Sequence, residues 1–67
     1  MRRYNRIGEF LDDRGIKKIW LAEPTGVTSS TVTKWCANTM QPRIEMLYRI
    51  AEVLDVEVRE LLVASKG

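Results

Sequence analysis

Apolar residues recur every three or four positions along most of this chain, the spacing at which one face of an α-helix is buried. Tyr4, Ile7, Phe10 and Leu11 predict a first helix over about residues 3–13. It closes near Gly15, where a residue without a β-carbon can take the left-handed conformation that ends helices. Ile19, Leu21 and Ala22 mark a short second helix from about Lys17. Pro24 is expected to stop it, because an interior proline deletes one hydrogen bond and clashes with the carbonyl four residues back, at about 3 kcal/mol. Thr28 suits an N-cap flanked by Val27 and Val32 at the positions of a hydrophobic staple, so a third helix runs from about Ser29 to Ala37. Pro42 opens a fourth, where Ile44, Leu47, Ile50, Ala51 and Leu54 hold one face over about three turns. Val58, Leu61 and Leu62 form the last apolar set, entered through a turn around Asp55 and Glu57. Five helices in a compact all-α bundle are the expected architecture, since no alternating pattern persists beyond Val56–Val58.

The second and third predicted helices, joined by a three-residue turn ending in Gly26, match the helix-turn-helix arrangement, whose second helix lies in the major groove of DNA. With Ser29 at zero and about 100° per residue, Thr33 falls at about 40°, Ala37 at about 80°, Ser30 at about 100° and Lys34 at about 140°. Trp35, Val32 and Cys36 fall at about 240°, 300° and 340°. One side of this helix is therefore polar and the other apolar. Short hydroxyl side chains let a helix sink toward base edges, and Lys can reach guanine O6 and N7. A merely solvated face would more naturally carry Glu, Lys or Gln, which are better helix formers than Ser and Thr.

Composition narrows the remaining classes. The chain has 67 residues, one cysteine and no histidine, which fits one small domain over 1–67 with its core at about 6–63. Cys36 has no partner for an internal disulfide and too few companions for a structural zinc site. Without His, the commonest general base and the usual nucleophile-activating pairs are missing, so neither an enzyme nor a cofactor is expected. No apolar run approaches the roughly 20 residues of a membrane span, and no apolar segment follows the basic start, so a cytoplasmic, nucleoid-associated protein is expected. The net charge is +2, yet residues 1–43 carry eight bases against four acids and residues 44–67 three bases against five acids. Such a split suits one anionic partner and one face kept for something else.

The joined series Leu21-Ala22, Gly26-Val27, Thr28-Ser29-Ser30-Thr31-Val32, Trp35, Gln41-Pro42 and Ile44-Glu45-Met46-Leu47 resembles the Cro and phage-repressor type of helix-turn-helix regulator, the XRE-like family. Ile50-Ala51, Leu54-Asp55-Val56 and Glu60-Leu61-Leu62 complete the resemblance, which covers about Arg6 to Val63. It implies a bacterial or phage-type transcriptional regulator, expected to be a repressor, that binds double-stranded DNA sequence-specifically without a cofactor. By the same resemblance Ser29, Ser30 and Lys34 hold the main base-reading positions, with Thr28 and Thr33 close by. Lys17, Lys18, Asn38, Thr39, Gln41 and Arg43 are the expected phosphate contacts. The family usually has glutamine where Lys18 stands. Ala22 allows close helix approach and Gly26 makes the turn. Pro24 and Thr25 depart from the pattern, which continues the second helix with a helix former and an aliphatic residue.

Other residues have plainer roles. Trp35 belongs to the core by its place on the helix, Trp20 is expected to be half exposed, and Cys36 is a small hydrophobe at the core's edge. Arg2 and Arg3 form a basic arm reaching phosphate or else a frayed terminus, and Arg49, Arg59 and Lys66 are solvated. A single short helix cannot turn all of Val56, Val58, Leu61, Leu62 and Val63 inward. Core packing and a two-fold dimer interface through Val56, Val58, Leu61 and Leu62 are the two uses for that surface, and the resemblance favours the homodimer. Its reading helices would lie about 34 Å apart on an inverted-repeat operator. The competing function is a helical protein-interaction module, such as an antitoxin or adaptor subunit.

Overall fold

A computed structural model describes residues 3–64 and arranges them as α1 (Ile7–Arg14), α2 (Lys18–Thr25), α3 (Ser29–Cys36), α4 (Ile44–Leu54) and a closing 3-10 turn (Val58–Leu61). The all-helical class agrees with the periodicity, but the fifth helix is only this 3-10 turn. Its four residues are held by a reciprocal cap in which Glu57 and Glu60 exchange side-chain and backbone hydrogen bonds. Arg2 and Lys66 lie outside the described residues.

Each boundary has a local cause. Gly15 (φ 65°) and Gly26 (φ 75°) close α1 and α2 in the left-handed region, where a β-carbon would be strained. The Thr28 side chain accepts the backbone N–H of Thr31, satisfying one of the unpaired donors at the start of α3. Asp55 ends α4 in the left-handed conformation (φ 57°), a region that Asp and Asn tolerate better than other side chains.

Two helix boundaries differ from the sequence expectation. Residues 3–6 are not helical: Asn5 pairs with Leu62 in a single antiparallel bridge. The Arg6 N–H donates to the Leu61 carbonyl (2.7 Å) and the Val63 N–H to the Tyr4 carbonyl (3.0 Å). This pairing with the far end of the chain overrides a helix-like spacing, and Tyr4 is consequently 55% exposed. Nor does Pro24 stop α2, which runs on through Thr25. Only one residue follows Pro24 in the helix, so a single ladder bond is forgone. The Thr25 hydroxyl instead donates to the carbonyls of Leu21 (2.8 Å) and Ala22 (3.1 Å). The turn between α2 and α3 is therefore Gly26–Thr28, two residues later than expected.

The core is one cluster of Ile7, Leu11, Leu21, Ala22, Val32, Trp35, Leu47, Ile50, Ala51 and Leu61, drawn from every element. Ala22 has the small side chain that close packing requires, and α2 is packed against both α3 and α4. Leu61 is completely buried within the chain, so this member of the expected dimer surface has no side-chain area to offer a partner. Val56, Val58 and Leu62 are partly buried against the same core. Ile19 (67% exposed) and Ile44 (63%) lie outside it, contrary to their helical spacing, and Trp20 is half exposed as expected.

Candidate nucleic-acid interface

The outer face of α3 carries the expected polar row. Ser29, Ser30, Thr33 and Lys34 are all exposed, while Val32 and Trp35 on the opposite side are buried. Within the described residues, no hydrogen bond or ion pair engages the Ser29 or Ser30 side chains or the Lys34 ammonium group. Thr33 differs, because its hydroxyl donates to the Ser29 carbonyl (2.9 Å) and keeps only its lone pairs for an outside donor. Thr28 is committed further, accepting from the Thr31 N–H at 3.2 Å and pairing with the Thr31 hydroxyl at 3.2 Å. Its first task is the cap.

The helix ends add a charge signal. α1 and α4 each carry an acid in the first turn, Glu9 and Glu45, as the positive end of a helix dipole favours. α2 and α3 carry none, and α2 begins on Lys17 and Lys18. Two ammonium groups there repel the helix dipole, so an outside anion would relieve an unfavourable arrangement. The lack of Asp and Glu over residues 16–22 and 27–34 was visible in the sequence. Lys17 and Lys18 are exposed, and Lys18 borders a shallow depression of about 370 Å³ with Arg3, Thr33 and Cys36 and with the acids Glu9 and Asp12. Arg3 thus stands beside the reading helix, paired with Glu9, which also takes an ion pair from Arg6 at 3.4 Å. Burial pushes the Cys36 thiol above its ordinary range despite the opposing charge of Lys18, and the thiol stays protonated and a poor nucleophile.

Beyond α3 the expected phosphate contacts divide. Thr39 and Arg43 are exposed, the Thr39 hydroxyl closing the helix on the Lys34 carbonyl (3.2 Å) and Arg43 standing at the start of α4. Asn38 is only 5% exposed, in the left-handed region (φ 60°), and its amide faces inward. Its Oδ1 accepts the N–H groups of Tyr4 (2.9 Å) and Asn5 (3.0 Å), and its Nδ2 donates to the Asn5 carbonyl (3.1 Å). Gln41 spends both ends of its amide on Asn5 (2.7 Å) and Asn38 (3.2 Å). The buried Asn38 amide is turned away from any phosphate, whereas Gln41 lies on the surface with its amide engaged in these bonds.

A family model for the Cro/C1-type HTH DNA-binding domain matches residues 6–67. Among solved structures, the chain is similar to a candidate DNA-binding protein from Bacteroides fragilis, with TM-score 0.84 and 39% identity over 88% of this chain and 95% of that one. It is also similar to the N-terminal DNA-binding domain of SinR from Bacillus subtilis, with TM-score 0.70 and 32% identity over 92% of this chain and 91% of that one. A transcriptional regulator from Listeria innocua shares the fold, at TM-score 0.75 and 24% identity over 94% of this chain and 63% of that one. No curated protein matches.

Proposed function

Because the chain belongs to the Cro/C1-type helix-turn-helix DNA-binding family, we propose that it is a sequence-specific transcriptional regulator, acting as a repressor by occupying duplex DNA. The observation that carries this reading is the exposed row Ser29, Ser30, Thr33 and Lys34 on α3, backed by the buried Val32 and Trp35. An α-helix fits the major groove, and this one meets it with three hydroxyls and one ammonium. Ser29 and Ser30 are too short for the bidentate contacts that Gln or Asn make to adenine, so Lys34, bridging water and DNA shape take a larger share of discrimination. Lys17, Lys18 and Arg43 neutralise phosphates on either side of the groove, and Thr28 supports the helix more than it reads bases.

The functional unit is a homodimer on an inverted repeat. Its contact is built on the partly buried Val56, Val58 and Leu62 with the exposed Tyr48, which borders the same depression as Val56 and Val58. Reading helices about 34 Å apart would match one turn of DNA.

Selection of bound genomic fragments followed by footprinting tests the proposal and reports the half-site spacing. Three phosphate-binding cations per subunit, about six per dimer, give a log–log salt slope of about −5. Absence of any preferred duplex, or a salt-independent affinity, would refute it.

A further inference from the structure

Among the described residues, Asn5 and Asn38 are the polar side chains buried in the domain, at 1% and 5% exposure. With Gln41 they close a ring of amides. Asn38 Oδ1 accepts from the Tyr4 and Asn5 N–H groups and from Gln41 Nε2. Asn5 Nδ2 donates to Gln41 Oε1 and to the Trp35 carbonyl (3.0 Å), while Asn5 Oδ1 accepts the Ile7 N–H (3.0 Å) that starts α1. No buried side-chain nitrogen or oxygen is left without a partner among the described residues.

Such a ring is a poor source of net stability, because each bond replaces one made to water, but it is strongly directional. It joins the extended residues before α1, the last turn of α3 and the loop that leads to α4. The Trp35 carbonyl, at the C-terminal end of α3, already accepts the Asn38 N–H (3.0 Å), and the Asn5 amide adds a second donor that ties residues 3–6 to the same point. Asn38 turns the chain in the left-handed conformation, directing Thr39 to Arg43 away from the helix. The same anchoring holds Tyr4, and so its neighbour Arg3, beside Thr33 and Ala37.

We propose that Asn5, Asn38 and Gln41 are positioning residues for DNA recognition. They touch no nucleic acid, and they fix the exit of α3 so that the base-reading row, the Thr39–Arg43 loop and Arg3 meet one duplex together. This rests on the DNA-binding reading of the α3 face.

Asn38→Gly is the informative variant, because glycine accepts the positive φ while removing the amide. Its folded fraction is measured by amide NMR and circular dichroism, and its affinity for the selected duplex by fluorescence anisotropy at several salt concentrations. The expected result is a fully folded protein that binds about tenfold more weakly, with a salt slope shallower by about two per dimer as Arg43 loses its phosphate. A ring with only a structural role would lower the melting temperature and leave the affinity and slope of the folded protein unchanged, which would overturn the proposal. If Asn38→Gly fails to fold, Gln41→Ala keeps the Asn5–Asn38 bonds. It should weaken binding about threefold with a shallower slope, and wild-type values would again overturn the proposal. Failure of the wild-type protein to bind any duplex would instead remove the DNA-binding reading, and the ring's role with it.

Discussion

A β-carbon at Gly8 would lie 3.1 Å from the Cβ of Cys36 and 3.2 Å from its carbonyl oxygen. α1 therefore meets the reading helix almost backbone to backbone. Alanine at position 8 would gain roughly 1 kcal/mol of helix propensity. Neither opposing atom sits at the end of a flexible side chain, however, and overpacking of this kind costs about 1–3 kcal/mol. Gly8→Ala should be destabilising on balance, with a melting temperature lower by roughly 4–8 °C per kcal/mol for a domain of this size. A thermal melt decides it, and an unchanged or higher midpoint would mean that α3 yields easily.

Pro24 predicts the opposite sign. Alanine there restores an N–H facing the Trp20 carbonyl and removes the ring clash, while the Arg49 guanidinium keeps its hydrogen bond to the residue-24 carbonyl (3.2 Å). Position 24 lies in the last turn, so only part of the roughly 3 kcal/mol interior penalty should be recovered. Pro24→Ala should gain about 1 kcal/mol in urea unfolding after allowance for the stiffer unfolded proline chain. A loss of stability would show that the proline ring is supporting α2.

Lys34 is the long, charged member of the exposed row. Lys34→Ala should cost about 1–3 kcal/mol at the preferred site and relax the preference at one base pair. Competition binding against single-base variants of the selected duplex measures both effects. A uniform loss over all sequences would assign Lys34 to a phosphate.

The Glu9 carboxyl is held below its ordinary value of 4.5 chiefly by the hydrogen bond from Arg3, against the opposing effect of desolvation and with help from the charge of Arg3 and from Arg6. A carboxyl lowered on folding binds fewer protons in the native state, so its stabilisation is complete above pH 4.5 and disappears as the pH falls through the lowered value. Glu9 is exposed, and salt should weaken the effect. Urea midpoints measured from neutral to acid pH should show Glu9→Gln below wild type near neutrality, with the two curves converging under acid conditions. Parallel curves would mean that the ion pairs do not persist in solution.

α3 and α4 were legible in the sequence because their apolar residues repeat at helical spacing and their starts are marked by Thr28 and Pro42. The reading face was legible for the same reason, since a wheel separates Ser29, Ser30 and Lys34 from Val32 and Trp35. Tyr4 misled because its spacing from Ile7 is helical by coincidence, and what holds residues 3–6 straight is a pairing with Leu61 to Val63 at the other end of the chain. Ile19 follows a hydrophobic pattern and still faces outward, which composition alone could not reveal. The family resemblance places Asn38 and Gln41 among the phosphate contacts, because their loop follows the recognition helix. What turns the Asn38 amide inward and engages the exposed Gln41 amide is Asn5, 33 residues from Asn38, and no local rule connects those positions.

The bridge at Asn5 and Leu62 also sets how the domain would yield to mechanical force. Its paired segments run in opposite directions, so that Tyr4 and Val63, the outermost bonded residues, lie at the same end of the seam. Traction applied to the two ends would load the Tyr4–Val63 bond first and the Arg6–Leu61 bond next, peeling the seam like a zipper instead of shearing its bonds together. A tug there would therefore free the segment after Leu61 before residues 4 and 5, which the amide ring also ties to the reading helix.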